Sequence, residues 1–247
     1  MLKIDSLSKR FDGVQAVRDA SFNIQQGTVT SLIGPNGAGK TTLFNMICGY
    51  IKPDEGTVHF KGKDINGSPP YAIAAMGIGR TFQNLRVIKM LTALDNILLS
   101  VPDHQMKGIL GPIFKVLRKD SESGRREKAL ELLDFVGLRE KAGDLAGSLS
   151  YGQQKLLSLA CCLALEPSVL LLDEPVAGVN QEMIINILAL IRRLRETGIA
   201  VFFIEHNLGA VMEVSDRLIV MDEGSIIADG IPSVVREDPA VVEAYIR

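Results

Sequence analysis

Residues 28–42 read TVTSLIGPNGAGKTT. An apolar run ends at Ile33, and Gly34, Pro35, Asn36, Gly37, Ala38, Gly39, Lys40, Thr41 and Thr42 then match G-x-x-x-x-G-K-[ST] between a predicted strand and a predicted helix. Glycines in such a turn let backbone N–H groups face inward around phosphate oxygens, and the helix adds the positive end of its dipole to the same point. Lys40 then reaches the β- and γ-phosphates as a point charge, while the Thr41 hydroxyl is a ligand for Mg²⁺. The stretch reads as a binding site for a nucleoside triphosphate.

The rest of the chain bounds that reading. Its 247 residues are long for one ordinary domain and short for two, so one domain with an inserted subdomain is expected. Basic and acidic side chains nearly cancel, 27 against 29, which argues against a polyanion partner such as nucleic acid. The three cysteines include the adjacent Cys161 and Cys162 in an apolar helical stretch, the usage of a reduced cytosolic protein rather than of a disulfide framework. The opening MLKIDSLSKRF carries charge from its third residue and does not read as a secretory signal. Apolar runs such as VLLL before Asp173 and IAVFFI before Glu205 fall well short of the ~20 residues of a membrane helix, so any membrane contact is expected to pass through a partner.

Organisation follows from periodicity. The first ~30 residues alternate apolar and polar in short pieces around the turns Asp12-Gly13 and Gln26-Gly27, which predicts an antiparallel sheet, with a further strand near residues 56–60. Later, residues 169–172, a helix with Ile184, Ile187, Leu188 and Ile191 on one face, and residues 199–204 give the strand–helix–strand rhythm of a parallel α/β sheet. Residues 92–147 read as an inserted helical subdomain, with KDSESGRRE as a polar hinge and an amphipathic helix bearing Ala129, Leu132, Leu133 and Val136. The core is then residues 1–91 with 148–247.

Three more elements carry chemistry. In Leu149-Ser-Tyr-Gly-Gln-Gln154 a serine and a glycine precede an apolar helix and leave N–H groups at its start, a second anion-binding helix end or an ordinary cap made by Ser150. VLLLDEP ends a buried strand in Asp173 and Glu174, at the sheet edge where α/β proteins bind ligands; Asp173 is placed toward a metal and Glu174 toward a water to be deprotonated. His206 taken alone reads first as a surface or satisfied histidine, but it ends the next strand beside the carboxylate pair, where its ring can bond a γ-phosphate. His59 and His104 have no such context.

Together GPNGAGKTT, Gln83 of GRTFQN, LSYGQQ, VLLLDEP and His206 occur in an order and spacing that resembles the ATP-binding cassette (ABC) ATPases, over essentially the whole chain. The resemblance implies an α/β P-loop NTPase core with an N-terminal antiparallel β subdomain and an inserted α-helical subdomain. It implies that Phe11 stacks on adenine through its ring face. Gln83 would reach Mg²⁺ and the attacking water, and Ser150, Gly152 and Gln153 would meet the γ-phosphate bound by an opposite subunit. Asp173 would belong to the metal site, Glu174 would be the catalytic base, and His206 the switch histidine. ATP and Mg²⁺ are the implied cofactors, and a head-to-tail homodimer, or a heterodimer with a paralogue, is the implied assembly.

Two positions depart from the family pattern: Tyr151 stands where the signature usually has its first glycine, and Asn180 where most members have aspartate. GIGRTFQNLRVI, LSYGQQ, AGVN and the ending GIPSVVREDPAVVEAYIR are similar to the ATPase subunits of branched-chain amino-acid importers; urea or amide importers and the lipopolysaccharide export ATPase are also similar. That resemblance implies transmembrane permeases and a solute-binding protein as partners, and a cytoplasmic protein peripheral to the inner face of the membrane. Leu85, Val87, Ile88 and Leu91 serve equally as a docking surface for a permease helix or as subdomain core. Rivals are a soluble ABC protein acting on nucleic acid, which usually carries two cassettes or long insertions, a non-hydrolysing regulatory module, and a P-loop kinase or GTPase, which would lack LSYGQQ.

Overall fold

The computed structural model describes residues 1–81, 85–101 and 119–246; Gln83, Asn84 and His104 lie outside the described residues. The chain divides into two compact units, one formed by residues 1–83 and 167–247, the other by residues 84–166.

In the first unit, β1 (Leu2–Phe11) and β2 (Val14–Ile24) form the antiparallel hairpin expected from the alternating N-terminus. Asp12 and Gly13 both have positive φ, +42° and +92°, as a two-residue turn matched to strand twist requires. With β4 (Glu55–Phe60) and β5 (Lys63–Asp64) they make a sheet of order β2-β1-β4-β5. The second sheet runs β6 (Ile78–Arg80), β7 (Val169–Asp173), β8 (Ala200–Ile204), β3 (Val29–Ile33), β9 (Arg217–Asp222) and β10 (Ser225–Gly230). All its pairings are parallel except β9 with β10. Every residue of β3, β7 and β8 is buried, which is why these strands read as unbroken apolar runs rather than as alternation.

Helices α1 (Lys40–Ile47), α2 (Pro70–Met76), α6 (Gln181–Glu196), α7 (Leu208–Val214), α8 (Pro232–Val235) and α9 (Pro239–Ile246) complete this unit. Along α6 the buried positions are Ile187, Leu188, Leu190, Ile191 and Leu194, the face that the sequence periodicity marks. Phe202 of β8 lies between Phe22 of β2 and Phe44 of α1, with ring centroids 5.4 Å and 4.8 Å away, so one aromatic cluster joins the antiparallel sheet, the parallel sheet and the first helix.

The second unit holds α3 (Ala93–Ser100), α4 (Lys119–Phe135) and α5 (Tyr151–Leu163). Thr92 caps α3, its Oγ1 accepting from the Asp95 N–H at 3.0 Å, and the buried Asn96 carboxamide binds both the N–H and the carbonyl of Ile88. The unit is wider than the 92–147 drawn from sequence, because α5 packs on α3 and α4. KDSESGRRE is not a hinge but the first part of α4. Its Lys, Glu and Arg residues are good helix formers, Gly124 costs only about 1 kcal/mol against alanine, and Arg125 ties the helix down by donating to the Leu98 carbonyl at 2.9 Å.

Replacing Phe202 by alanine removes the ring that joins the three layers. The variant is expected to lose about 3–5 kcal/mol of stability, read as a lowered urea midpoint; a loss under about 1 kcal/mol would contradict this account of the core.

Candidate nucleotide site

The phosphate loop is shaped by its own backbone. Gly34, at the end of β3, has φ +151°, and a Cβ there would sit 2.0 Å from the Met221 carbonyl oxygen. Gly39, just before α1, has φ +97°, and a Cβ would fall 2.1 Å from the Ala16 carbonyl oxygen. Both positions therefore exclude a side chain by contact as well as by conformation. The loop is held from outside by the β9–β10 turn, where the Gly224 N–H donates to the Ala38 carbonyl and the Gly224 carbonyl accepts from Arg18.

Lys40 is 6% exposed, and its ammonium donates to the carbonyls of Gly34 and Pro35, both at 2.8 Å. Burial pulls its pKa below the ordinary lysine value, and the nearby Glu174 carboxylate partly offsets this. Beside it opens a cavity of about 520 Å³, within the size range of small-molecule sites. Its walls include Asn36, Gly37, Ala38, Gly39, Lys40, Thr41 and Thr42 from the loop and α1, Val14, Gln15 and Ala16 from β2, and Glu174 and His206.

Strand register brings Glu174 there, and sets Asp173 beside it but outside the cavity wall. Asp173 pairs with Ile204 across β7 and β8, and Ile204 pairs with Leu32 across β8 and β3, so all three strands end at one edge. Asp173 is buried, and its Oδ2 accepts from Arg80 Nη2 at 3.0 Å, both side chains being under one-tenth exposed. Arg80 also donates to Asn45 Oδ1 at 2.7 Å, and its guanidinium lies 5.7 Å from the ring centres of Phe44 and Tyr50. Burial pushes the neighbouring Cys48 thiol up to about 11, an effect reduced by Arg80.

Glu174 leaves the strand in the left-handed region, φ +50°, its N–H donating to the Ile204 carbonyl at 3.0 Å. That turn is costly for a residue with a Cβ, and it brings the carboxylate into the cavity instead of back into the sheet. His206 Nε2 stands 3.5 Å from Glu174 Oε1.

Among the other expected residues, Ser150 caps α5 in a reciprocal pair: its Oγ accepts from the Gln153 N–H at 3.3 Å, and Gln153 Oε1 accepts from the Ser150 N–H at 2.9 Å. Gly152 is buried in the first turn, while Tyr151 opens the helix without positive φ and is exposed. Asn180 caps α6, Oδ1 accepting from the Met183 N–H at 2.9 Å, a bond that aspartate and asparagine make equally well. Phe11 is partly exposed at the end of β1 and is not part of the cavity wall; its partner across the hairpin, Val14, is.

The profile described as ABC transporter matches residues 17–177. The chain belongs to the ABC transporter family. Like other members, this ABC ATPase is an ATP-hydrolysing subunit. It is 40% identical to the high-affinity branched-chain amino acid transport ATP-binding protein BraF of Pseudomonas aeruginosa, over all of this chain and 97% of that one. It is 36% identical to LivG of Escherichia coli, again over all of this chain and 97% of that one. Among solved structures, the ADP conformation of MJ1267, an ATP-binding cassette of an ABC transporter, superposes with a TM-score of 0.87 at 37% identity, covering all of this chain and 98% of that one. Dimeric MJ0796, a bacterial ABC transporter cassette, is 28% identical with a TM-score of 0.79 over 94% of this chain and 99% of that one.

In this ABC ATPase Arg80 and Glu205 join the residues expected from sequence. Both carry a readable signal. Arg80 is a lone charge in the short strand before Gln83, and Glu205 is a carboxylate ending an apolar strand in the manner of Asp173.

Gly34→Ala must move the Met221 carbonyl or open the loop. Nucleotide affinity, measured with a fluorescent ATP analogue, is expected to fall about 10- to 100-fold, the equivalent of overpacking a tight site. Gly62→Ala, in the remote β4–β5 turn with open space around it, is expected to stay within about two-fold. Equal affinities for the two variants would contradict this reading of the loop.

Proposed function

We propose that two copies of this chain, or one copy and a paralogue, close around two Mg-ATP molecules and reopen after hydrolysis, driving import of branched-chain amino acids or related small solutes through transmembrane permeases. The observation that carries this reading is the convergence of Lys40, Glu174 and His206 on one cavity in a chain 40% identical along its whole length to BraF. A solute-binding protein would deliver the substrate. The chain would sit at the inner face of the membrane through its permeases; no helix among the described residues is long and apolar enough to cross a membrane. Ile88 and Met90, exposed in the second unit, together with Leu85, Val87 and Leu91, are the residues we assign to contact with a permease.

The loop amides from Gly37 to Thr41 would hold the phosphates, with Lys40 turning from its own carbonyls toward them. Val14 and Ala16 give the base an apolar wall, and Phe11 can add its ring at the rim. The Thr41 hydroxyl and the Asp173 carboxylate are hard oxygen donors, and Mg²⁺ takes one or two such protein oxygens beside phosphates and water. When bound, Mg²⁺ would neutralise charge on the β- and γ-phosphates, held by the Thr41 hydroxyl and by Asp173, which Arg80 orients; Gln83 is assigned to the same site.

Glu174 takes the proton from the attacking water, and His206 holds the γ-phosphate side of the cavity next to it. The helix end at Ser150, Gly152 and Gln153 would complete the site of the opposite subunit, which gives its free N–H groups an anionic partner.

Glu174→Gln keeps the side-chain shape and removes the base. Turnover is expected to fall about 100-fold or more while ATP still binds, so that an ATP-loaded dimer accumulates on size exclusion. Near-normal hydrolysis in this variant would show that another group activates the water.

A further inference from the structure

Glu205 lies at the end of β8, 2% exposed, and is not part of the cavity wall. Its backbone N–H reaches the Leu32 carbonyl at 3.4 Å, so its main chain rests on the strand that leads into the phosphate loop. Its carboxylate spans two loops. Oε1 accepts from the Val176 N–H at 2.9 Å, two residues beyond Glu174. Oε2 accepts from the N–H groups of His206 at 2.9 Å and Asn207 at 3.2 Å.

A buried carboxylate is costly unless donors surround it, and charge-assisted bonds of this kind are stronger than neutral ones. Here the donors are the backbones of the two loops that bear Glu174 and His206. Both follow the ends of their strands: Glu174 sits in a left-handed turn whose N–H donates to the Ile204 carbonyl at 3.0 Å, and His206 comes two positions after the last residue of β8. Beside that backbone bond, the Glu205 carboxylate holds together the two loops that carry the pair, whose side chains stand 3.5 Å apart.

We propose that Glu205 is a positioning residue, a buried carboxylate clamp that locks the catalytic-glutamate loop to the switch-histidine loop so that the two move as one body. The clamp does not touch nucleotide. It transmits a shift of the histidine loop, from whatever presses on that loop, to the carboxylate that activates water. This role rests on the assignment of Glu174 as the base.

The test is Glu205→Gln in the full chain, with hydrogen exchange of amides and steady-state hydrolysis of Mg-ATP as separate readouts. The amide keeps the shape, but its NH₂ cannot accept, so one of the two loops must lose its partner whichever way the group is turned. Amide exchange is expected to rise in residues 174–178 or 205–208 with the rest of β7 and β8 unchanged. Turnover is expected to fall about 10-fold or more with KM for ATP within about two-fold, the pattern of an interaction needed only in the transition state. In a Glu174→Gln background the same change should have little further effect on turnover, because coupled residues are not additive.

Unchanged exchange in both loops, or an unchanged turnover in a folded variant, would overturn the clamp. A rise in KM equal to the fall in turnover would also overturn it, since that marks a nucleotide contact or general loosening. If Glu174→Gln alone hydrolyses ATP normally, the base assignment fails, while the exchange result still decides whether the loops are tied. Should Glu205→Gln not fold, Glu205→Asp keeps the charge with a shorter reach; it is expected to show the same split between turnover and KM, and wild-type turnover in it would overturn the proposal.

Discussion

Three parallel strands ending level with one another are the constraint on which the rest of this molecule depends. Leu32 pairs with Ile204 and Ile204 with Asp173, so the chain leaves β3, β8 and β7 at one edge of the sheet. The exits carry the phosphate loop, Glu205 with His206, and Asp173 with Glu174 in turn. A slip of one residue in either pairing would exchange the two buried faces of a strand and shift the groups at its end by about 3.3 Å. The apolar runs that bury β3, β7 and β8 on both faces are thus also what brings the chemistry together.

At that edge the protein accepts unfavourable local states and offsets them with specific partners. Gly34 and Gly39 allow backbones to approach closer than any Cβ permits. Glu174 occupies a left-handed conformation. Asp173, Arg80, Lys40 and Glu205 are charged groups taken out of water, and each has donors or acceptors at hydrogen-bond distance. Removing one member of such a buried pair costs far more than the pair contributes as a whole, so these groups define the geometry more than they stabilise the fold.

Much of this was readable in advance. The phosphate loop, the carboxylate pair, the capped signature helix and the antiparallel N-terminus follow from local signals: glycine spacing, an apolar run closed by acids, a serine three residues before glutamine, and an Asp-Gly turn. The KDSESGRRE segment misled because its serines and glycine suggest a break, while its helix is held by a tertiary bond from Arg125 to α3 that no local pattern displays. The roles of Arg80 and Glu205 depend on tertiary structure in the same way. Their partners lie 93 and 29 residues away, at Asp173 and Val176, and only the folded register brings them into contact. Adenine stacking by Phe11 is implied by resemblance alone, and the cavity wall shows in addition Val14, Gln15 and Ala16 of the opposite strand, which no motif marks.

One chain bears a phosphate loop and, in another unit, a helix end capped by Ser150, and the proposed function has a second copy of the chain bring the two together. The structure of the Glu174→Gln protein trapped with Mg-ATP tests this most directly. The account predicts a head-to-tail pair in which the Ser150 hydroxyl and the Gly152 amide of one protomer lie about 3 Å from γ-phosphate oxygens held by Lys40 of its partner. A trapped protein whose γ-phosphate is enclosed by a single chain, with Ser150 of either copy far from it, would contradict the account.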